Sequence, residues 1–283
     1  MDRVKELRET AEKLLRDKKV DVVIGYGEGS VPNRPRTVFI TKPEDADKLV
    51  WNRYCFYNLT LYLVKQEVTG LGKMAVVVKG CDARTIVVLE KESQINRNDI
   101  TVIGVTCDGV GEPLENKCLH CDVHTPEGCD MLIGEKIDNN EILFEEKYAD
   151  VISIAKMSLK DRWAFWENQF SKCIKCYACS KICPLCYCGT CIVEKNQPQW
   201  IDTSAHNKGN FAWNLVRAFH LAGRCIGCGE CDRACPKDIP LNLINKELAM
   251  GIEKEFNYRA GYDVNDELAM VTYKEDDEAD FIK

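Results

Sequence analysis

Between Val20 and about Asp150 the apolar positions fall into short β-branched runs: VDVVIGY (20–26), RTVFIT (36–41), MAVVVKG (74–80) and DITVIGVT (99–106), each bounded by turn residues. PEDADKLVW (43–51) and DARTIVVLEKESQ (82–94) instead show helical spacing with acidic first turns, and Val4 to Arg16 predicts a leading helix. Strands alternating with helices predict an α/β domain built on a mostly parallel sheet.

After Asp150 the pattern changes to helices punctuated by cysteine loops. In AHNKGNFAWNLVRAFHLAG (205–223), Phe211, Leu215, Ala218, Phe219 and Ala222 predict one apolar helical face. IPLNLINKELAMGIEKEF starts with Pro240 near a helix start and keeps helical spacing to about Phe256. From Tyr262 the chain is acidic and short of core residues, ending in KEDDEADFIK. The expected organisation is an α/β domain over 1–160, a mainly helical ferredoxin-like domain over 161–258 and an acidic tail over 259–283.

A formal charge of -7 and a pI near 5.3 argue against nucleic acid as a partner, because phosphate binding needs a basic surface. No apolar run approaches the roughly 20 residues of a membrane span, and the charged N-terminus lacks a secretory core, so a cytoplasmic protein is expected. Seventeen cysteines in a chain expected to stay in a reducing compartment point to metal thiolates rather than disulfides.

Cys173, Cys176, Cys179 and Cys183 followed by Pro184 spell C-x2-C-x2-C-x3-C-P, and Cys225, Cys228, Cys231 and Cys235 followed by Pro236 repeat it. Each such run wraps three thiolates round one 4Fe-4S cluster while its fourth cysteine ligates the other run's cluster. The expected sets are Cys173, Cys176, Cys179 with Cys235, and Cys225, Cys228, Cys231 with Cys183. Cys179, Cys183 and Cys186 also match the C-x3-C-x2-C spacing of radical enzymes, but fewer than 100 residues follow, too few for the barrel those enzymes build. Forty-one residues separate Cys183 from Cys225 and hold a helix, an arrangement that resembles the helical ferredoxin modules of heterodisulfide reductase and of fumarate reductase iron-sulfur subunits.

A third metal site is expected from Cys107 at a strand end, the C-x2-C pair Cys118 and Cys121, and either Cys129 or Cys81 as fourth ligand. Zinc is the rival metal there, because spacing alone does not separate it from iron-sulfur. Cys186, Cys188 and Cys191 fit alternative ligation, tuning of cluster potential, part of a further metal site completed from elsewhere, or inert thiols; Cys55 has no assigned role. The four histidines show no ligand spacing. Trp163, Trp166 and Trp213 are expected to shield cluster or core surface.

VVVKGCDARTIVVL (76–89) runs strand, turn, helix, and Lys79, Gly80, Asp82 and Arg84 around the helix start predict an anion site for a flavin or nucleotide phosphate. The glycines of VVIGYGEGS (22–30) lack the full dinucleotide fingerprint and read as a turn.

VVVKGCDARTIVVL, then VIGVTCDGV, then a C-x2-C, resembles the coenzyme F420 hydrogenase and dehydrogenase beta-subunit family, formate dehydrogenase beta subunits included, over about residues 20–135. FHLAGRCIGCGECDRACPKDIPL looks like the shorter relatives that accompany heterodisulfide-reductase-like complexes. The resemblance implies FAD beside a 4Fe-4S cluster, Cys107 and Cys81 as ligands, and Gly80, Asp82 and Arg84 as flavin neighbours. The turn here reads KGCDAR where the family has a G-T-P-C-like turn, and no deazaflavin-specific residues are present. The expected function is an iron-sulfur, FAD-containing electron-transfer subunit of an anaerobic oxidoreductase. It would relay electrons between a hydride carrier (F420 or NAD(P)H) or a formate dehydrogenase or hydrogenase subunit and a heterodisulfide-reductase-like partner. The rivals are a cluster-only conduit and docking scaffold, and a zinc-binding structural or regulatory protein.

Overall fold

The computed structural model describes residues 2–139, 142–195, 197–199 and 201–269. Five strands, β1 (Val22–Gly27), β2 (Arg36–Ile40), β3 (Met74–Val78), β4 (Ile100–Val105) and β5 (Met131–Ile133), form one sheet in the order β2-β1-β3-β4-β5. Only β2 runs antiparallel to its neighbour; the other pairings are parallel. β1 and β3 are buried at every position, which fits central strands covered on both faces. Three residues make β5, too few for a periodic signal, and the sequence reading missed it.

Helix α1 (Arg3–Arg16) is capped by the Asp2 side chain, which accepts from the Val4 N–H, and buries Leu7, Ala11, Leu14 and Leu15 against the sheet core. The 43–51 segment forms a 3-10 helix over Pro43–Lys48 and then turns extended, because Leu49 and Val50 are drawn onto the sheet: the Val50 N–H donates to the Tyr26 carbonyl at 2.8 Å. Gly25 and Gly27 lie inside β1 and not in a turn. A Cβ on Gly25 would stand 2.4 Å from Leu49 Cδ2, so this glycine makes room for the returning chain.

Helix α2 (Gly80–Lys91) is buried on two sides. Ala83 and Ile86 join the sheet core, while Val88 and Leu89 join a second core with Leu185, Leu221, Ile226, Tyr258 and Ala260. Polar ties continue the seam. Arg84 donates to the Ala260 carbonyl through Nε (3.1 Å) and Nη2 (2.8 Å) and to the Ile226 carbonyl at 3.3 Å, and Glu92 accepts from Tyr187 Oη at 2.8 Å and pairs with Arg224.

The helical part contains α3 (Ala149–Ala155), α4 (Leu159–Ser171), α5 (Asn207–His220) and α6 (Leu241–Phe256), with single helical turns at Ala178–Lys181 and Glu230–Arg233. A third core joins Phe170, Trp213, Ile239 and Leu241 to Cys179 and Cys231. Helix α3 packs on α6, and Lys246 pairs with Asp150 at 2.7 Å. The face of α5 differs from the expectation. Its buried residues are Gly209, Asn210, Trp213, Asn214, Arg217 and Ala218, whereas Phe219 is exposed. The helix has rotated its polar Asn210, Asn214 and Arg217 row inward because the cysteine loops beneath it present carbonyls that need donors: Asn210 donates to the Cys173 carbonyl at 2.7 Å and Arg217 to that of Cys179 at 2.9 Å.

Among the described residues no helix is long and apolar enough to cross a membrane. Of the acidic tail, Lys91 Nζ donates to the Asp263 and Asp266 carbonyls, and KEDDEADFIK lies outside the described residues.

Candidate metal centres

The two cysteine runs share one backbone design. In the first, Lys175 (φ 52°) and Tyr177 (φ 59°) are left-handed; in the second, Gly227 (φ 72°) and Gly229 (φ 70°) occupy the same offsets. This conformation curls the loop so that the Lys175 N–H donates to Cys173 Sγ at 3.4 Å, and the helical turn that follows carries Cys179 or Cys231 inward. A left-handed side-chain residue costs about 1–2 kcal/mol. In the first run that cost is offset by Tyr177 packing edge-on to Trp213 at 5.1 Å and by Lys175 Nζ donating to the Asp202 carbonyl at 2.6 Å.

Cys173, Cys176, Cys179 and Cys235 line one cavity of about 20 Å³ under Trp213 and Asn214, three thiols from one run and the fourth from the other. Cys183, Cys225 and Cys228 pack around the second core, and Cys231 stands beside Cys225 and Cys228. Burial pushes the Cys225 thiol up to about 11 and raises Cys179, Cys228 and Cys231 as well. Such thiols stay protonated until a metal displaces the proton.

The third group stands where adjacent parallel strands end. β3 and β4 are in register with Val78 opposite Gly104, so Cys81 and Cys107 emerge side by side. With Cys118 and Cys121 they line a cavity of about 170 Å³ whose opposite wall holds Cys225, Ile226 and Gly227. Backbone N–H groups of Gly109 and Val110 donate to Cys107 Sγ and Cys118 Sγ, both at 3.4 Å. Cys129 lies outside this cavity. It covers Gly104, where a Cβ would stand 2.9 Å from its Sγ, and its thiol donates to the Pro126 carbonyl at 3.5 Å.

Among the described residues no three His, Cys, Asp or Glu side chains converge on a point for a single metal ion. Thiolates on one zinc stand about 2.3 Å from the metal and so crowd together, whereas the corners of a cubane hold theirs apart around a cavity. Four-thiol linings, buried neutral thiols and N–H donors to sulfur fit a polynuclear cluster.

The remaining thiols scatter. A hydrogen bond between Cys183 and Cys186 raises the Cys183 thiol and lowers that of Cys186, which also touches Arg217. Cys191 packs beside the first cavity's core, Cys188 is exposed, and Cys55 is buried with its thiol pushed up to about 11 by desolvation. His206 caps α5 and His120 lines the larger cavity.

The residues expected to cradle a flavin phosphate are engaged within the protein. Lys79 Nζ and Asp82 Oδ2 form a fully buried pair at 2.7 Å, and Lys79 also donates to Tyr26 Oη (2.5 Å) and the Tyr57 carbonyl (2.9 Å). Gly80 is met by the Val123 carbonyl, 2.1 Å from where its Cβ would be, and Arg84 spans the seam between the two parts of the molecule. Gly80 and Asp82 are thus covered by protein, while Lys79 and Arg84, though hydrogen-bonded within the chain, also line the cavity of about 170 Å³ beside Cys81.

Two cations beside the cysteines, Lys117 and Arg217, were not singled out from the sequence. Lys117 stands between Cys81 and Cys228, 3.9 Å from Glu230 Oε1; burial opposes its charge, but Cys81 and Glu230 raise its pKa on balance. Arg217 faces Cys179, Cys183, Cys186 and Cys231. The available signal for Arg217 was the i, i+4, i+7 polar row Asn210, Asn214, Arg217.

A family model described as a 4Fe-4S dicluster domain matches residues 172–240. The chain is 24% identical to the F420-dependent formate dehydrogenase subunit beta of Methanocaldococcus jannaschii, covering 89% of this chain and 90% of that protein. It is 25% identical to the F420-dependent formate dehydrogenase 1 subunit beta of Methanococcus maripaludis, covering 86% and 87%. A chain of the xenon-derivatized F420-reducing [NiFe] hydrogenase complex of Methanosarcina barkeri aligns over 37% of this chain and 38% of its own, at 21% identity and a TM-score of 0.31. With its mostly parallel sheet followed by two cysteine runs, the chain is similar over most of its length to beta subunits of F420-dependent formate dehydrogenases, and its residues 172–240 match a 4Fe-4S dicluster domain.

Proposed function

We propose that the chain is an electron-transfer subunit of a multisubunit oxidoreductase that holds three 4Fe-4S clusters in series. Their ligands are Cys81, Cys107, Cys118 and Cys121; Cys225, Cys228, Cys231 and Cys183; and Cys173, Cys176, Cys179 and Cys235. The clusters supply one-electron carriers, and the protein supplies spacing, dryness and charge. The observation that carries this reading is the crossed lining of the first-run cavity, in which Cys235 of the second run completes Cys173, Cys176 and Cys179.

The order follows from shared walls. The sheet-end cavity has Cys225, Ile226 and Gly227 as its far wall, and Arg217 faces cysteines of both the second and the first set. Electrons from a formate dehydrogenase or hydrogenase subunit, or from a hydride carrier such as F420, enter or leave at the sheet end. Cys176 is exposed, which makes the Cys173 end the contact with the next carrier, a heterodisulfide-reductase-like subunit in the complex we envisage. No flavin is assigned to Lys79, Gly80, Asp82 and Arg84.

Oxygen-free purification with iron, sulfide and flavin analysis tests the reading. The expected result is about three clusters' worth of iron with matching sulfide, and paramagnetic signals after dithionite. Cys228→Ser should lower the iron content and the solubility, because ligation and local folding are linked. Colourless protein containing zinc and no sulfide overturns the proposal.

A further inference from the structure

Helix α6 buries Leu241 and Asn245, one turn apart on the same face. Leu241 belongs to the core that holds Cys179 and Cys231, as an apolar residue there should. Asn245 is polar and yet only 2% exposed. Its Nδ2 donates to Cys231 Sγ at 3.9 Å, and its Oδ1 is buried without a hydrogen-bond partner. The start of the helix is tied to the same cysteine turn, because the Asn242 N–H donates to Asp232 Oδ1 at 2.6 Å. That anchor holds α6 against the turn Glu230–Arg233 and sets Asn245, three residues on, beside the sulfur.

A buried amide with an unmatched oxygen is costly where a leucine would pack without that penalty. The sulfur offers the compensation. A ligating thiolate has no proton to give and accepts only from the Nδ2 side of the amide, and an ionised acceptor makes the stronger bond. Backbone N–H groups serve Cys173, Cys107 and Cys118. Among the described residues, Cys231 is the one sulfur of the proposed ligand sets that accepts from a side-chain amide.

Resting on the ligand sets proposed above, we propose that Asn245 is a positioning residue for the second 4Fe-4S cluster: its amide, donating to Cys231 Sγ, raises the reduction potential of that cluster and leaves the first cluster's unchanged. A hydrogen bond to a ligand sulfur draws off negative charge and so favours the more negative, reduced state. In the order proposed above the second cluster lies between the sheet-end site and the first cluster. A donor specific to Cys231 therefore sets the middle step of the relay.

The test uses the full chain purified anaerobically, with EPR-monitored redox titration of the wild type, Asn245→Leu and Asn245→Gln. Asn245→Leu, which removes the donor at nearly constant volume, is expected to keep its iron and to shift the second cluster alone to more negative potential. Asn245→Gln, which keeps an amide, stays nearer to wild type. An unchanged second midpoint in Asn245→Leu, or equal movement of both clusters, overturns the inference; equal shifts in the two variants assign the effect to packing and overturn it too. Should Asn245→Leu lose the second cluster, wild-type protein carrying asparagine 15N-labelled at the side-chain amide decides by pulsed EPR of the reduced second cluster. Coupling to that nitrogen supports the hydrogen bond, and its absence refutes it. A wild type without two reducible cubanes would instead refute the proposed function on which this rests.

Discussion

Cys81 and Cys129 compete for the same place in the sequence, and the fold separates them by where parallel strands begin and end. Cys81 follows the C-terminal end of β3 and meets Cys107 at the end of β4; Cys129 precedes β5 and packs over Gly104 against the sheet. Cys81→Ser should therefore remove roughly a third of the bound iron, in line with one ligand set of three. Cys129→Ser should leave iron unchanged and alter stability by no more than about 1 kcal/mol, as measured by metal analysis and thermal unfolding. Equal iron loss in both variants would reverse the assignment. At this scale the 4Fe-4S dicluster segment was legible because the cysteine spacing is set by loop geometry, whereas the places of Arg217 and Lys117 were not, since a cation's partners depend on which elements come together.

The elements depend on close backbone approaches. The loop carrying Cys118 and Cys121 returns across the start of α2, where Gly80 leaves room for the Val123 carbonyl. A Cβ there would stand 2.1 Å from that oxygen, and a backbone carbonyl cannot swing aside as a side chain can. Gly80→Ala should cost about 1–3 kcal/mol and displace the loop, seen as a lower unfolding temperature and loss of iron from the sheet-end site alone. Retained iron at full stability would mean that the loop can settle elsewhere. The leading helix, four strands and α2 were readable from periodicity. The face of α5 was not, because an apolar-moment argument assumes an apolar core and this helix instead serves carbonyls and sulfur.

At the scale of the molecule, α2 is the joint. Its N-terminal half holds the Cys225 loop and the Ala260 carbonyl through Arg84, and its C-terminal end holds Arg224 and Tyr187 through Glu92. Arg84→Met leaves those buried carbonyls without donors, at about 1–3 kcal/mol, and should loosen the seam that brings the sheet-end site to the second cluster. The expected signature is two resolved unfolding transitions in place of one, with slower electron exchange between the sheet-end and dicluster centres after rapid mixing with reductant. A single transition at wild-type temperature would assign the seam to its apolar contacts. By itself the sequence determined that this is an α/β domain joined to a cysteine-rich helical one and which eight thiols take part in the ferredoxin pattern, since periodicity and loop spacing are local properties of the chain. Only the tertiary structure decided that Cys81 lines one cavity with Cys107, Cys118 and Cys121, that Lys79 and Asp82 pair with each other at the start of α2, and that Lys117 and Arg217 come to stand beside the cysteines. Each of these depends on segments far apart in the chain meeting in one dry space, which no local pattern encodes.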